Sequence, residues 1–176
     1  MTADGVRGTR PDRGECDEYY HGYVALVPDG DILGTLARQR EAFVSGLRRI
    51  PEAKGDYRYA EGKWSVKEVI GHLVDTERVM GFRSLAFARG DRTPLPGFEQ
   101  DDYVAGGRFA ERTIADLADE FGSLRDSHLV LLRSFRDEDW MRRGVASGYE
   151  FTTRSVAWVM AGHVMHHVRV LEERYL

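Results

Sequence analysis

Thr153-Arg154-Ser155-Val156-Ala157-Trp158-Val159-Met160-Ala161-Gly162-His163-Val164-Met165-His166-His167-Val168-Arg169-Val170-Leu171 decides how the rest of the 176-residue chain is read. Placed at helical 100° steps, Val156, Val159, Met160, Val170 and Leu171 make one apolar stripe, with His163 and His167 on its centre line. His166 falls at the stripe's edge, roughly 80–100° round the axis from the pair. Two imidazoles aimed into a helical core cost several kcal/mol of desolvation unless a partner offsets it, and the usual partner is a divalent metal. The stretch therefore predicts a core-facing helix and a third ligand elsewhere.

Three more helical patterns precede it. Asp29 to Ile50 repeats Leu33, Leu36, Phe43, Leu47 and Ile50 at helical spacing before Pro51 stops it. Ser65 with Glu68 forms a capping box that opens a pattern running to about Arg89, where Gly90 ends it. Thr113 opens another, in which Ile114, Leu117, Phe121, Leu124, His128, Leu131 and Phe135 make a bundle seam. With no alternating β pattern between them, the expectation is an all-α, up-down four-helix bundle over residues 28–176, with room for a longer crossover through 90–112. Asp91 to about Arg112 reads as a long irregular loop, and its Gly97-Phe98-Glu99-Gln100-Asp101-Asp102-Tyr103 stretch is a candidate substrate contact. Arg136 to Phe151 reads as a second loop. Residues 1–27, rich in Gly, Arg, Asp and Glu, read as a mobile or loosely docked N-terminal extension, with Tyr19, Tyr20, Tyr23 and Leu26 available to touch the domain.

Composition narrows the function classes. The length suits one well-buried domain. A net charge of −4 with mixed charges gives no footprint for nucleic acid or an anionic membrane. No apolar run is long enough to span a bilayer and no signal pattern begins the chain, so the expected location is cytoplasmic. The lone Cys16 rules out an internal disulfide framework and reads as an ordinary thiol.

The third histidine is His72, in Gly71-His72-Leu73-Val74-Asp75-Thr76-Glu77 on the second helix, sharing its face with Glu68, Val69, Thr76, Val79 and Arg83. With His163 and His167 it supplies three neutral imidazoles, the count of a catalytic site that keeps one position open. Imidazole suits zinc, nickel, copper or iron alike. Val164 stands where a zincin would carry its glutamate, so no peptidase base is built in. Catalytic candidates around the site are Glu68, Asp75, Arg83 and His128, each with an ordinary alternative: a helix cap for Glu68, a surface ion pair for Asp75, pairing to Glu68 or Asp75 for Arg83, and a core position for His128. His166 reads as a bundle-edge or dimer-contact residue and His21 as solvent-facing.

Lys63-Trp64-Ser65-Val66-Lys67-Glu68-Val69-Ile70-Gly71-His72-Leu73-Val74-Asp75-Thr76-Glu77, then Phe87-Ala88-Arg89-Gly90-Asp91, Pro96-Gly97-Phe98, and finally Ala161-Gly162-His163 with His167, resemble the DinB-like superfamily of damage-inducible proteins over about residues 29–176. The resemblance implies a four-helix bundle, often a homodimer, whose divalent zinc or nickel is held by three histidines that match His72, His163 and His167. That superfamily includes bacillithiol and other thiol S-transferases and the mycothiol-dependent maleylpyruvate isomerase. The expected function is thus a metal-dependent enzyme joining a low-molecular-weight thiol to an electrophilic small molecule, with metal-assisted hydrolysis second. The competing readings are a non-catalytic stress-response protein whose metal staples helices, with Glu68 or His128 as fourth ligand, and a metal-free structural bundle.

Overall fold

The computed structural model describes residues 5–176, so residues 1–4 of the expected extension lie outside the described residues. The elements are α1 (Glu18–Leu26), α2 (Ile32–Leu47), α3 (Val66–Ala88), α4 (Gln100–Gly106), α5 (Ile114–Arg133), α6 (Asp137–Trp140), the hairpin β1 (Arg143–Ala146) and β2 (Tyr149–Thr152), and α7 (Thr153–Arg174). The long helices α2, α3, α5 and α7 form the expected four-helix bundle. None of the described helices is long and apolar enough to cross a membrane.

The long helices begin where capping side chains satisfy their first amide groups. Ser65 Oγ accepts from the Glu68 amide at 3.2 Å while Glu68 Oε2 accepts from the Ser65 amide at 2.7 Å. Thr113 Oγ1 accepts from Asp116 at 3.1 Å and Thr152 Oγ1 from Ser155 at 3.0 Å.

Round the bundle the order is α2, α5, α3, α7, so successive helices α2 and α3 stand on a diagonal. Arg40 pairs with Asp126 and Arg48 with Asp119, so α2 and α5 are antiparallel. Arg78 pairs with Glu120 and Gly81 lies against His128, so α3 and α5 are parallel. His72 meets His163 and the Trp64 carbonyl meets Tyr175, which makes α7 antiparallel to α3. The directions are therefore up, down, down, up rather than strictly alternating. Residues 89–113 form the crossover that returns the chain to the end where α3 began. That crossover is less irregular than the expected loop, because it contains α4 and a single 3-10 turn at Phe109–Glu111.

The second expected loop holds the hairpin, which the sequence pattern did not reveal. Arg143 pairs with Thr152 and Ala146 with Tyr149 across a two-residue turn, Ser147 and Gly148, whose φ values of 55° and 82° suit a type I′ turn. Leu95 of the crossover bonds beside it, donating its amide to Val145 at 2.8 Å and accepting from Ser147 at 3.1 Å.

Residues 5–27, expected as a loose extension, are tied down. The buried Glu15 carboxylate accepts from Arg154 Nε at 3.0 Å and Thr152 Oγ1 at 2.7 Å, and Arg154 also donates to Thr9 Oγ1 and the Val6 carbonyl. Tyr20, Val24 and Val27 are buried in the core beside Val156 and Trp158 of α7. At the crossing of α1 over α7, a Cβ on Gly162 would overlap the Tyr23 carbonyl oxygen, so only glycine lets the two backbones come this close.

The core has two apolar compartments. One takes Ile32, Leu36, Met80, Phe87, Leu129, Leu132, Val156 and Val159; the other takes Phe43, Leu47, Val69, Leu73, Leu117, Phe121, Val164 and Leu171. Between them runs a buried polar belt. Arg125 donates to Glu77 Oε1 at 2.6 Å and Oε2 at 2.8 Å, and to Gln39 Oε1 at 2.8 Å; Gln39 Nε2 donates to the Ala161 carbonyl at 2.8 Å; His128 Nδ1 lies 3.0 Å from Glu77. Burial opposes ionisation of Glu77, yet Arg125 and His128 hold its carboxyl well below the usual range, down to about 2. The folded value is depressed, so this stabilisation is complete above the unfolded value near 4.5 and is lost as pH falls toward 2. Arg125→Met should cost about 3–5 kcal/mol by leaving the buried Glu77 carboxylate without its guanidinium and with His128 alone. Urea unfolding at pH 7 measures it, and pairing it with Glu77→Leu should recover part of the loss.

Candidate metal centre

His72 lies two turns into α3, and His163 and His167 lie one turn apart on α7, on the faces these antiparallel helices turn toward each other. His72 Nε2 is 3.1 Å from His163 Nε2, and His167 Nε2 is 3.2 Å from His163 Nε2. All three ligand atoms lie within 4.8 Å of one another. Aromatic rings wall the cluster: Trp64 lies across His72 with centroids 4.8 Å apart, and Tyr23 stands edge-on to His163 at 5.5 Å and to His166 at 5.6 Å.

Burial keeps these imidazoles neutral. It pushes His72 down to about 4 against a weak opposing pull from the Asp101 carboxylate. His167 is pushed down to about 3 by burial and its neighbouring imidazoles, and His163 lies well below the ordinary histidine range for the same reasons. Each neutral ring has one N–H, and with that proton on Nδ1 the three clustered Nε2 lone pairs are all free to ligate. A proton on Nε2 serves only one pair at a time. Nitrogens around a tetrahedral ion with bonds near 2.0–2.1 Å stand roughly 3.3 Å apart; the His72–His163 and His167–His163 separations of 3.1 and 3.2 Å are close to that spacing. The donor set fits one divalent cation.

The remaining candidates stand apart from this point. Glu68 caps α3 and pairs with Arg58 at 2.5 and 2.8 Å. Asp75 faces Arg78 at 3.8 Å, and its partial burial raises its carboxyl. Arg83 pairs with neither: its buried Nη2 donates to Ser147 Oγ at 2.8 Å and the Pro96 carbonyl at 3.1 Å, joining α3 to the hairpin and crossover. His128 is committed to Glu77 in the belt. His166 is exposed, as its place at the stripe edge implied. His21 is held by the Arg13 and Cys16 carbonyls rather than by solvent alone. Cys16 is buried, its thiol pushed up to about 11 by burial first and by the nearby Glu15 and Asp17 charges.

Three neighbours of the cluster are absent from the candidate residues above: Trp64, Tyr23 and Asp101. Trp64 stands just before the capping box, where a residue can fold back over the first turns of its helix. Tyr23 comes from α1, whose docking rests on a pair 139 residues apart in sequence. Asp101 lies in the Gly97–Tyr103 stretch, whose sequence gives no sign of which acidic charge would be felt at His72.

A helical bundle that gathers three histidines from two facing helices defines the class. The chain belongs to the DinB superfamily, whose family profile matches residues 35–171. Among solved structures it is similar to YfiT from Bacillus subtilis, described as a probable metal-dependent hydrolase with an unusual four-helix bundle topology, at 16% identity and a TM-score of 0.69 over 97% of this chain and 94% of that one. It is also similar to the mycothiol-dependent maleylpyruvate isomerase, at 15% identity and a TM-score of 0.65 over 78% of this chain and 58% of that one. A Streptococcus pneumoniae protein aligns at 12% identity with a TM-score of 0.65 over 90% of this chain and 100% of that one. At these identities the likeness is one of fold. No curated protein matches the chain.

Folded values of about 4 and 3 put His72 and His167 in the neutral form at pH 7. Because both lie below the unfolded value of 6.5, the metal-free protein should lose stability as pH falls from 6.5 toward 4. NMR titration of metal-free protein should show these two rings unprotonated down to about pH 5, while a ring titrating near 6.5 would place it in solvent.

Proposed function

We propose that this protein is a metal-dependent enzyme in which His72, His163 and His167 hold one divalent ion, zinc or nickel, and that it transfers a low-molecular-weight thiol to an electrophilic small molecule. The convergence of three neutral Nε2 donors carries this reading. When bound, the ion supplies a Lewis acid that lets a thiol or water ionise near neutral pH. The chain's own residues prepare that chemistry. Trp64 and Tyr23 fix the ring planes and keep water from two sides of the cluster. The Asp101 carboxylate, exposed at the start of α4 and close enough to act on His72, takes the proton the nucleophile releases.

Thiol transfer is favoured over hydrolysis because the mycothiol-dependent isomerase shares the fold, whereas the likeness to YfiT keeps hydrolysis as the second reading. A structural staple would need a fourth protein ligand. Its two candidates are engaged elsewhere, Glu68 with Arg58 and Ser65, and His128 with Glu77.

The test is turnover of the zinc-loaded protein with N-acetylcysteine and 1-chloro-2,4-dinitrobenzene. In that reaction sulfur bonds to the ring carbon, chloride leaves with the bonding pair, and the thiol proton passes to Asp101. Native protein should exceed free zinc, His167→Ala should abolish turnover, and Asp101→Asn should lower kcat about 100-fold with little change in KM. Turnover no faster than zinc in buffer, beside measurable hydrolysis of p-nitrophenyl acetate, would favour the hydrolytic reading.

A further inference from the structure

A large groove lies away from the histidines. Of the adjacent helix pairs in the bundle, α2 and α7 pack least closely, and the groove between them encloses about 860 Å³, a size typical of small-molecule clefts. Phe43, Leu47, Ile50, Met165, Val168 and Leu171 make its apolar lining. Met165 and Val168 lie roughly 140–200° round α7 from His163, so the groove opens on a different face of that helix from the one His163 occupies.

Its charge runs against that of the whole molecule. The chain carries a net −4, yet Arg38, Arg49, Lys54 and Arg169 line this groove with Glu172 as the one acidic side chain among them. Arg169 is paired with Glu173, and Lys54 donates to the Tyr175 and Leu176 carbonyls. Arg38 and Arg49 have no carboxylate partner among the described residues; their guanidinium groups bond to Thr35 Oγ1 at 3.3 Å and Ser45 Oγ at 3.1 Å.

We propose that the α2–α7 groove is a second binding site, for an amphiphilic organic anion whose apolar body lies on the Phe43–Met165 lining and whose acidic group pairs with the rim arginines. Apolar burial supplies affinity, and a carboxylate or sulfonate matches the forked guanidinium donors. Gly46 gives a clean way to close the site. It lines the groove within α2, and a Cβ there would meet only the movable Arg49 Nη2, at 3.9 Å, so a side chain can start from this position toward the groove.

The experiment titrates the full chain with 1-anilinonaphthalene-8-sulfonate and displaces it with dodecanoate or dodecanol. Expected are saturable binding of one probe per chain and displacement by dodecanoate at about tenfold lower concentration than by dodecanol, a margin of about 1.4 kcal/mol. Arg38→Glu or Arg49→Glu should remove that margin, and Gly46→Trp should abolish probe binding with the unfolding midpoint unchanged or raised. Absence of saturable binding, equal displacement by acid and alcohol, or a native dimer that Gly46→Trp renders monomeric would each overturn the proposal, the last by making a second copy the occupant.

Discussion

A carboxylate and a guanidinium paired in the middle of an apolar bundle govern how the four long helices meet. Glu77 and Arg125 cannot part without leaving a charge uncompensated in the core, so their bidentate pair fixes the height of α3 against α5. Gln39 extends the same constraint through α2 to the Ala161 carbonyl of α7. His72 precedes Glu77 by five residues on α3, and His163 follows Ala161 by two on α7. The belt that divides the core into two compartments therefore also sets the register in which the histidines of α3 and α7 face each other.

A second buried pair does for the N-terminal segment what the first does for the bundle. Glu15 and Arg154 join the chain before α1 to the first turn of α7, and Gly162 lets α1 lie directly on that helix beside His163. Tyr23 becomes a wall of the histidine cluster in consequence. This segment precedes the stretch matched by the family profile, so a side chain outside residues 35–171 bears on the site those residues carry.

What was legible in the sequence is what local chemistry decides. Ser65 with Glu68, Thr113 with Asp116, and Thr152 announce helix starts through hydrogen bonds spanning three residues. His163 and His167 could be placed on one face because a helix repeats every 3.6 residues. The hairpin was illegible because its strands are only four residues long and, although β1 alternates in burial, β2 does not: its first two residues are exposed and its last two buried. The up, down, down, up order was illegible because helix direction depends on where a crossover lands, and periodicity is the same read either way. The partners of Arg83 and Glu15 lie 64 and 139 residues away in sequence, beyond any local pattern. Arg83 was expected to pair with Glu68 or Asp75 as acidic residues of the same helix, but its length carries the guanidinium past α3 to Ser147.

The account rests on three Nε2 atoms acting as one donor set, and metal content per chain measures that most directly. Protein purified without a histidine tag, incubated with zinc or nickel and freed of excess, should hold one ion per chain by elemental analysis. The His72→Ala, His163→Ala and His167→Ala variants should each lose it while keeping the helical circular-dichroism spectrum. Native protein that retains no ion, or a His163→Ala variant that still carries one, would contradict the account.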